Sequence, residues 1–128
     1  MSLIRETAPR IALVEDEPSH ALLIHYNLEL RGMNVSLFES GEKFLNESQQ
    51  HYDLIIINGE IFDINGLHLC SQIKGGGITT PILFVTTNPR LDNSCCKLEQ
   101  VEYILKPFSI KDLVSKVDQA LSHQCIGA

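Results

Sequence analysis

The chain has 128 residues, 44% of them hydrophobic, with 16 acidic and 10 basic side chains giving a net charge of −6. That length suits one domain burying roughly two-thirds of its unfolded surface, and the composition argues against disorder. The acidic balance, with no basic stripe to offset it, argues against direct contact with nucleic acid or an anionic membrane. No apolar run approaches the roughly 20 residues of a bilayer span and no signal-peptide pattern opens the chain, so a cytoplasmic protein is expected.

Taken in order, the first apolar run covers residues 11–14 and leads into Glu15-Asp16-Glu17. Pro18 suits a first helical turn, and Leu23, Tyr26, Leu28 and Leu30 follow before Gly32 closes the segment. A strand is expected over 34–38 and a helix over 41–48. The run 54–57, almost pure Ile and Leu, ends on Asn58. A helix over 66–74 then stops at Gly75-Gly76-Gly77, and another continuous apolar strand covers 82–86. Residues 91–100 carry a weaker helical pattern. A last strand over 102–105 precedes Ser109, a good N-cap with Asp112 three residues on, and a helix through Leu113, Val117 and Leu121.

Strands alternating with amphipathic stretches predict one doubly wound (βα)5 domain over 9–123, flavodoxin-like, with 1–8 and 124–128 as terminal extensions. Its parallel five-stranded sheet is expected in the order 2-1-3-4-5, with ligands at the carboxyl ends of the strands. Glu15, Asp16, Asn58, Thr86 and Lys106 all fall at such ends.

Each of these residues admits two readings. Glu15 and Asp16 supply hard oxygen ligands for Mg²⁺, or are acids favoured by a helix N-terminus. Glu60 is a solvated loop residue, or a negative charge within reach of Lys106. Thr86 suits a strand end by β-propensity alone, and Tyr103 suits a packed aromatic. Cys95-Cys96 is a redox-active pair or simply two thiols; Cys70 and Cys125 complete the cysteines, with no zinc spacing.

As a set, Leu13-Val14-Glu15-Asp16-Glu17-Pro18, Asn65-Gly66-Leu67, Ile82-Leu83-Phe84-Val85-Thr86-Thr87 and Tyr103-Ile104-Leu105-Lys106-Pro107-Phe108 resemble the response-regulator receiver domain of bacterial two-component signalling. The resemblance runs from Ile11 to Leu121. It implies a metal site at Glu15, Asp16, Asn58 and Glu60, and switch or phosphate-contact positions at Thr86, Thr87, Tyr103, Lys106 and Pro107. In that family the position of Asn58 is the aspartate that accepts the phosphoryl group.

An asparagine amide is neutral and weakly nucleophilic, so no catalytic residue is expected, and Mg²⁺ is possible but weakened. Phe62 also departs from the family, standing where a proline is common. The Thr86-to-Lys106 spacing is about two residues short, which implies a reshaped fourth helix. The resulting expectation is a receiver acting through phosphorylation-independent protein contacts. Its partner would be a sensor kinase, a phosphotransfer protein, or an effector or output domain. A homodimer through the face from the fourth to the fifth helix is also implied.

Two other functions stand beside it. A working phosphoacceptor could use another residue, or an Asn58 deamidated at Asn58-Gly59. A flavodoxin-like small-ligand binder is permitted by fold alone, although Glu15-Asp16-Glu17 at the first turn repels phosphate.

Overall fold

Side chains leaving alternate faces of the strands explain the layering. In the computed structural model, which describes residues 8–47, 51–60, 66–87 and 101–126, the strands are β1 (Arg10–Val14), β2 (Asn34–Phe38), β3 (Leu54–Asn58), β4 (Ile82–Thr86) and β5 (Val101–Leu105). The helices are α1 (Pro18–Glu29), α2 (Gly41–Glu47), α3 (Gly66–Gly75) and α4 (Ile110–Ile126). All strand pairs are parallel, in the order β2-β1-β3-β4-β5. This is the doubly wound topology expected from the sequence.

Successive strand residues point to opposite faces, so one apolar run feeds two cores. Ile11, Leu13, Leu54, Ile56, Leu83 and Val85 pack with Ile24 and Leu28 of α1 and Leu113, Val117 and Leu121 of α4. On the other face Ala12, Val14, Ile55, Ile57, Ile82 and Phe84 pack with Phe44 of α2 and Leu69, Cys70 and Ile73 of α3. Every residue of β3 and β4 is buried, which is why those segments show no polar alternation.

Boundaries shift by a residue where backbone pairing outruns the apolar pattern. β1 begins at Arg10, paired with Asn34, and β3 extends to Asn58, paired with Val85. α1 ends at Glu29; Gly32 follows at φ 84° and donates its N–H to Glu29 O at 3.0 Å. Of the apolar residues that mark this helix in the sequence, only Leu28 is core; Leu23, Tyr26 and Leu30 are exposed, and Ala21 and Ile24 take the packing face. The α4 N-cap is as expected, with Asp112 N–H donating to Ser109 Oγ at 3.0 Å. The predicted helix over 91–100, with Cys95 and Cys96, lies outside the described residues, as do Phe62 and Asn65.

Close packing at the carboxyl edge depends on two glycines. A Cβ at Gly66 would lie 2.7 Å from Gly59 Cα and 2.8 Å from the buried Phe84 ring. Only a missing side chain lets the start of α3 approach the end of β3. Gly66→Ala therefore overpacks this contact and should lower stability by about 1–3 kcal/mol, read as a lower urea midpoint at unchanged slope.

At the N-cap of α1, Glu17 accepts hydrogen bonds from Ser19 Oγ at 2.7 Å and Ser19 N–H at 2.8 Å. The hydroxyl first and the amide second hold its carboxyl below the usual glutamate value. A depressed folded value means that this cap stabilises fully above the unfolded pKa and is lost as pH falls through the folded one. Carboxyl NMR titration of Ser19→Ala should show Glu17 moving up toward its ordinary value; an unmoved titration would contradict the cap.

Candidate functional site

Four strand ends converge on one edge of the sheet. Glu15 follows β1, Asn58 ends β3, Thr86 ends β4 and Lys106 follows β5. The ladders continue one step past the strands: Gly59 N–H donates to Val85 O, and Lys106 N–H donates to Thr86 O, each at 2.7 Å. Those bonds fix the directions in which the side chains leave the sheet. Glu15, Asn58 and Thr86 are all nearly inaccessible, at 2%, 4% and 0% exposure.

Asn58 sits between opposite charges. Its Nδ2 donates to Glu15 Oε2 at 2.8 Å, while its Oδ1 accepts from Lys106 Nζ at 3.0 Å. The charges determine the amide orientation, because a flipped amide would face oxygen to carboxylate and NH₂ to ammonium. The same Glu15 oxygen also accepts Glu17 N–H at 3.0 Å. A buried carboxylate supplied with donors in this way avoids the cost of an unpaired interior charge.

The turn after β3 brings in Glu60. Its N–H donates to Asn58 Oδ1 at 3.1 Å, the side-chain-to-backbone closure of an Asx turn. That turn aims the Glu60 carboxylate back across the edge, where Oε2 accepts Thr86 Oγ1 at 2.7 Å and lies 3.4 Å from Thr87 N. Lys106 Nζ lies 3.6 Å from Glu60 Oε1. The sequence reading linked Glu60 with Lys106 but missed Thr86. An asparagine two residues before the glutamate was the available signal.

Thus Glu15, Asn58, Glu60, Thr86, Thr87 and Lys106 meet in one network. Asp16 is half-buried next to Glu15 in the turn into α1. Tyr103 packs, partly buried, against the sheet face that includes Phe84. The Lys106-Pro107 bond is cis. A groove of about 400 Å³, not foreseen from the sequence, runs beside this network and is lined by His20, Leu23, Ile24, Lys106, Pro107 and Phe108 among others.

As placed, the Asn58 oxygen and the Glu15 oxygen facing it are already engaged by donors rather than open to a divalent cation. The former accepts from an ammonium and a backbone N–H, and the latter accepts two donors. Among the described residues no three His, Cys, Asp or Glu side chains group to hold a metal. Deamidation of Asn58 is likewise disfavoured. The Gly59 nitrogen that would attack the side chain is held by Val85 O, and both ends of the Asn58 amide are engaged.

A doubly wound α/β domain that gathers an acid, a hydroxyl and a lysine at the ends of its strands delimits a narrow class of protein. The response regulator receiver domain profile matches residues 11–118, and the chain belongs to that family. Response regulator ArlR of Staphylococcus saprophyticus is 32% identical over 118 residues, covering 90% of this chain and 53% of ArlR. The chain thus spans about half the length of the curated relatives it matches. Chemotaxis response regulator CheY4 of Vibrio cholerae superposes with a TM-score of 0.81 at 22% identity, covering 90% of this chain and all of CheY4. Response regulator TrrA of Thermotoga maritima, solved with Mg²⁺ and BeF, gives a TM-score of 0.78 at 29% identity, covering 88% of this chain and 99% of TrrA.

Asn58→Asp replaces a donor to Glu15 by a like charge. At ~4 Å and an effective dielectric of ~20, two unit charges interact by about 4 kcal/mol, and attraction to Lys106 offsets much of the new repulsion. The net expectation is a loss of about 1 kcal/mol in EDTA, with Mg²⁺ raising the variant's denaturation midpoint more than the native one. Identical midpoints for both proteins, with and without Mg²⁺, would contradict the bridge.

Proposed function

We propose that this chain is a two-component receiver module that forms no aspartyl phosphate and signals through protein contacts. Asn58 stands at the position where the family carries its phosphoacceptor aspartate. The observation that carries this reading is the Asn58 bridge: its amide oxygen is held by Lys106 and by Glu60 N–H, and its nitrogen by Glu15. No lone pair of a charged oxygen is offered for attack on phosphorus.

Binding of Mg²⁺ to the native site is correspondingly weak, in contrast to TrrA, which was solved with Mg²⁺ and BeF. The partners are a sensor kinase, a phosphotransfer protein, or an effector or output domain, including one carried on the same polypeptide. Apolar surface for such contacts is present on α1 and at its C-cap, where Leu22, Leu23 and Tyr26, and then Leu30, are exposed. The family's signalling face is a second candidate, and also a surface for self-association. Among the described residues it includes Glu102 and Lys116, paired at 3.6 Å.

A site elsewhere for phosphate, or a flavodoxin-like ligand, is a weaker reading, because the family match and the acidic first turn both point to a receiver. No helix among the described residues is long and apolar enough to cross a membrane.

Peptide-level mass spectrometry after incubation with Mg²⁺ and a small-molecule phosphodonor tests the proposal. The native chain should remain unmodified, with Asn58→Asp run beside it as the variant given the missing carboxylate. Affinity of the native chain for its partner should be the same with and without donor. A phosphorylated native peptide would overturn the reading and identify the substitute acceptor, and a donor-dependent change in affinity would overturn it as well.

A further inference from the structure

Glu60 is the point at which donors from two other strand ends meet. Thr86 Oγ1 lies 2.7 Å from Oε2, Thr87 N lies 3.4 Å from the same oxygen, and Lys106 Nζ lies 3.6 Å from Oε1. A hydroxyl, a backbone N–H and an ammonium gathered on one edge form the donor set of a small-oxyanion site. Their carriers are fixed by the sheet: Thr86 is fully buried and paired with Leu105 in the ladder, and Lys106 N–H is bonded to Thr86 O. The acceptor comes from a different segment, the turn after β3, and its side chain is 42% exposed.

We infer that Glu60 is the resident ligand of an oxyanion site formed by Thr86, Thr87 and Lys106, and that it excludes small external oxyanions from that site. This rests on the receiver reading only in placing the module's control at this edge. The carboxylate supplies from within the chain a negative charge that would otherwise arrive from outside. The Thr86 hydroxyl and the lysine are then held in one arrangement without any covalent change. Such a chain is set in one state by its own side chain, and the Asx turn of Asn58 keeps that side chain aimed at the donors.

Competition gives the expected size. If the tethered carboxylate occupies the site about nine-tenths of the time, external binding is weakened about tenfold. Inorganic phosphate, titrated at constant ionic strength and followed by ¹H–¹⁵N NMR, is the probe. Glu60→Ala should show a saturable shift of the Thr87 amide, with an apparent affinity about tenfold or more above native. Adding Lys106→Met should abolish that shift.

Equal phosphate affinity in the native chain and Glu60→Ala would overturn the inference. So would the absence of any saturable Thr87 shift in a folded Glu60→Ala. Should Glu60→Ala lose its dispersed amide spectrum, Glu60→Gln removes the charge at nearly constant shape and is judged by the same outcomes. Inorganic phosphate transfers no phosphoryl group, so failure here leaves the phosphodonor result intact. Conversely, a phosphorylated native chain leaves this titration to stand on its own.

Discussion

The carboxyl edge is organised by one property of an amide: it can face an acid with one atom and a base with the other. Asn58 uses both, reaching Glu15 at 2.8 Å and Lys106 at 3.0 Å. The sheet order makes this possible, since β1 and β4 flank β3 directly and β5 lies one strand further. Lys106 therefore has to pass the end of β4 to reach Asn58, which brings it alongside Thr86. Glu60 then closes the arrangement from the turn. No buried side-chain polar atom among the described residues is left without a partner, as expected where low dielectric makes an unsatisfied group costly.

Most of the architecture was legible because its signals were local. Continuous Ile, Leu and Val at 54–57 and 82–86 mark central strands covered on both faces, and Ser109 marks a helix start by its hydroxyl. Residues at α1 were harder to place. Leucines and a tyrosine recur around this helix, so periodicity alone did not select Ala21, Ile24 and Leu28 as the packed side. Its cap was also easy to underrate, since glutamate is not among the preferred N-cap residues, and only the return of Ser19 makes Glu17 serve.

The site was legible as a set of positions but not as a network. Strand-end placement identified Glu15, Asn58, Thr86 and Lys106, because the fold class puts ligands there. What joins them depends on side-chain directions that a linear pattern does not encode. The Glu60–Thr86 bond spans 26 residues and depends on a turn closed by Asn58. The same holds for Gly59 and Gly66. In the sequence they are two ordinary glycines, and in space they are the close contact that lets the β3 turn and α3 share the Phe84 ring.

The Asn58 bridge also bears on how this chain can change. Asparagine and aspartate codons differ by a single base, so a carboxylate at position 58 is mutationally near. It is also the step that sets a new charge against Glu15, in a network that Lys106 shares with Glu60, and neighbouring substitutions of this kind are not additive. The order of steps therefore matters. Neutralising position 60 leaves Lys106 to offset a carboxylate at 58, but it also weakens the acceptor of the buried Thr86 hydroxyl. Positions 58 and 60 are thereby coupled through Lys106, and a change at one alters what the other can carry.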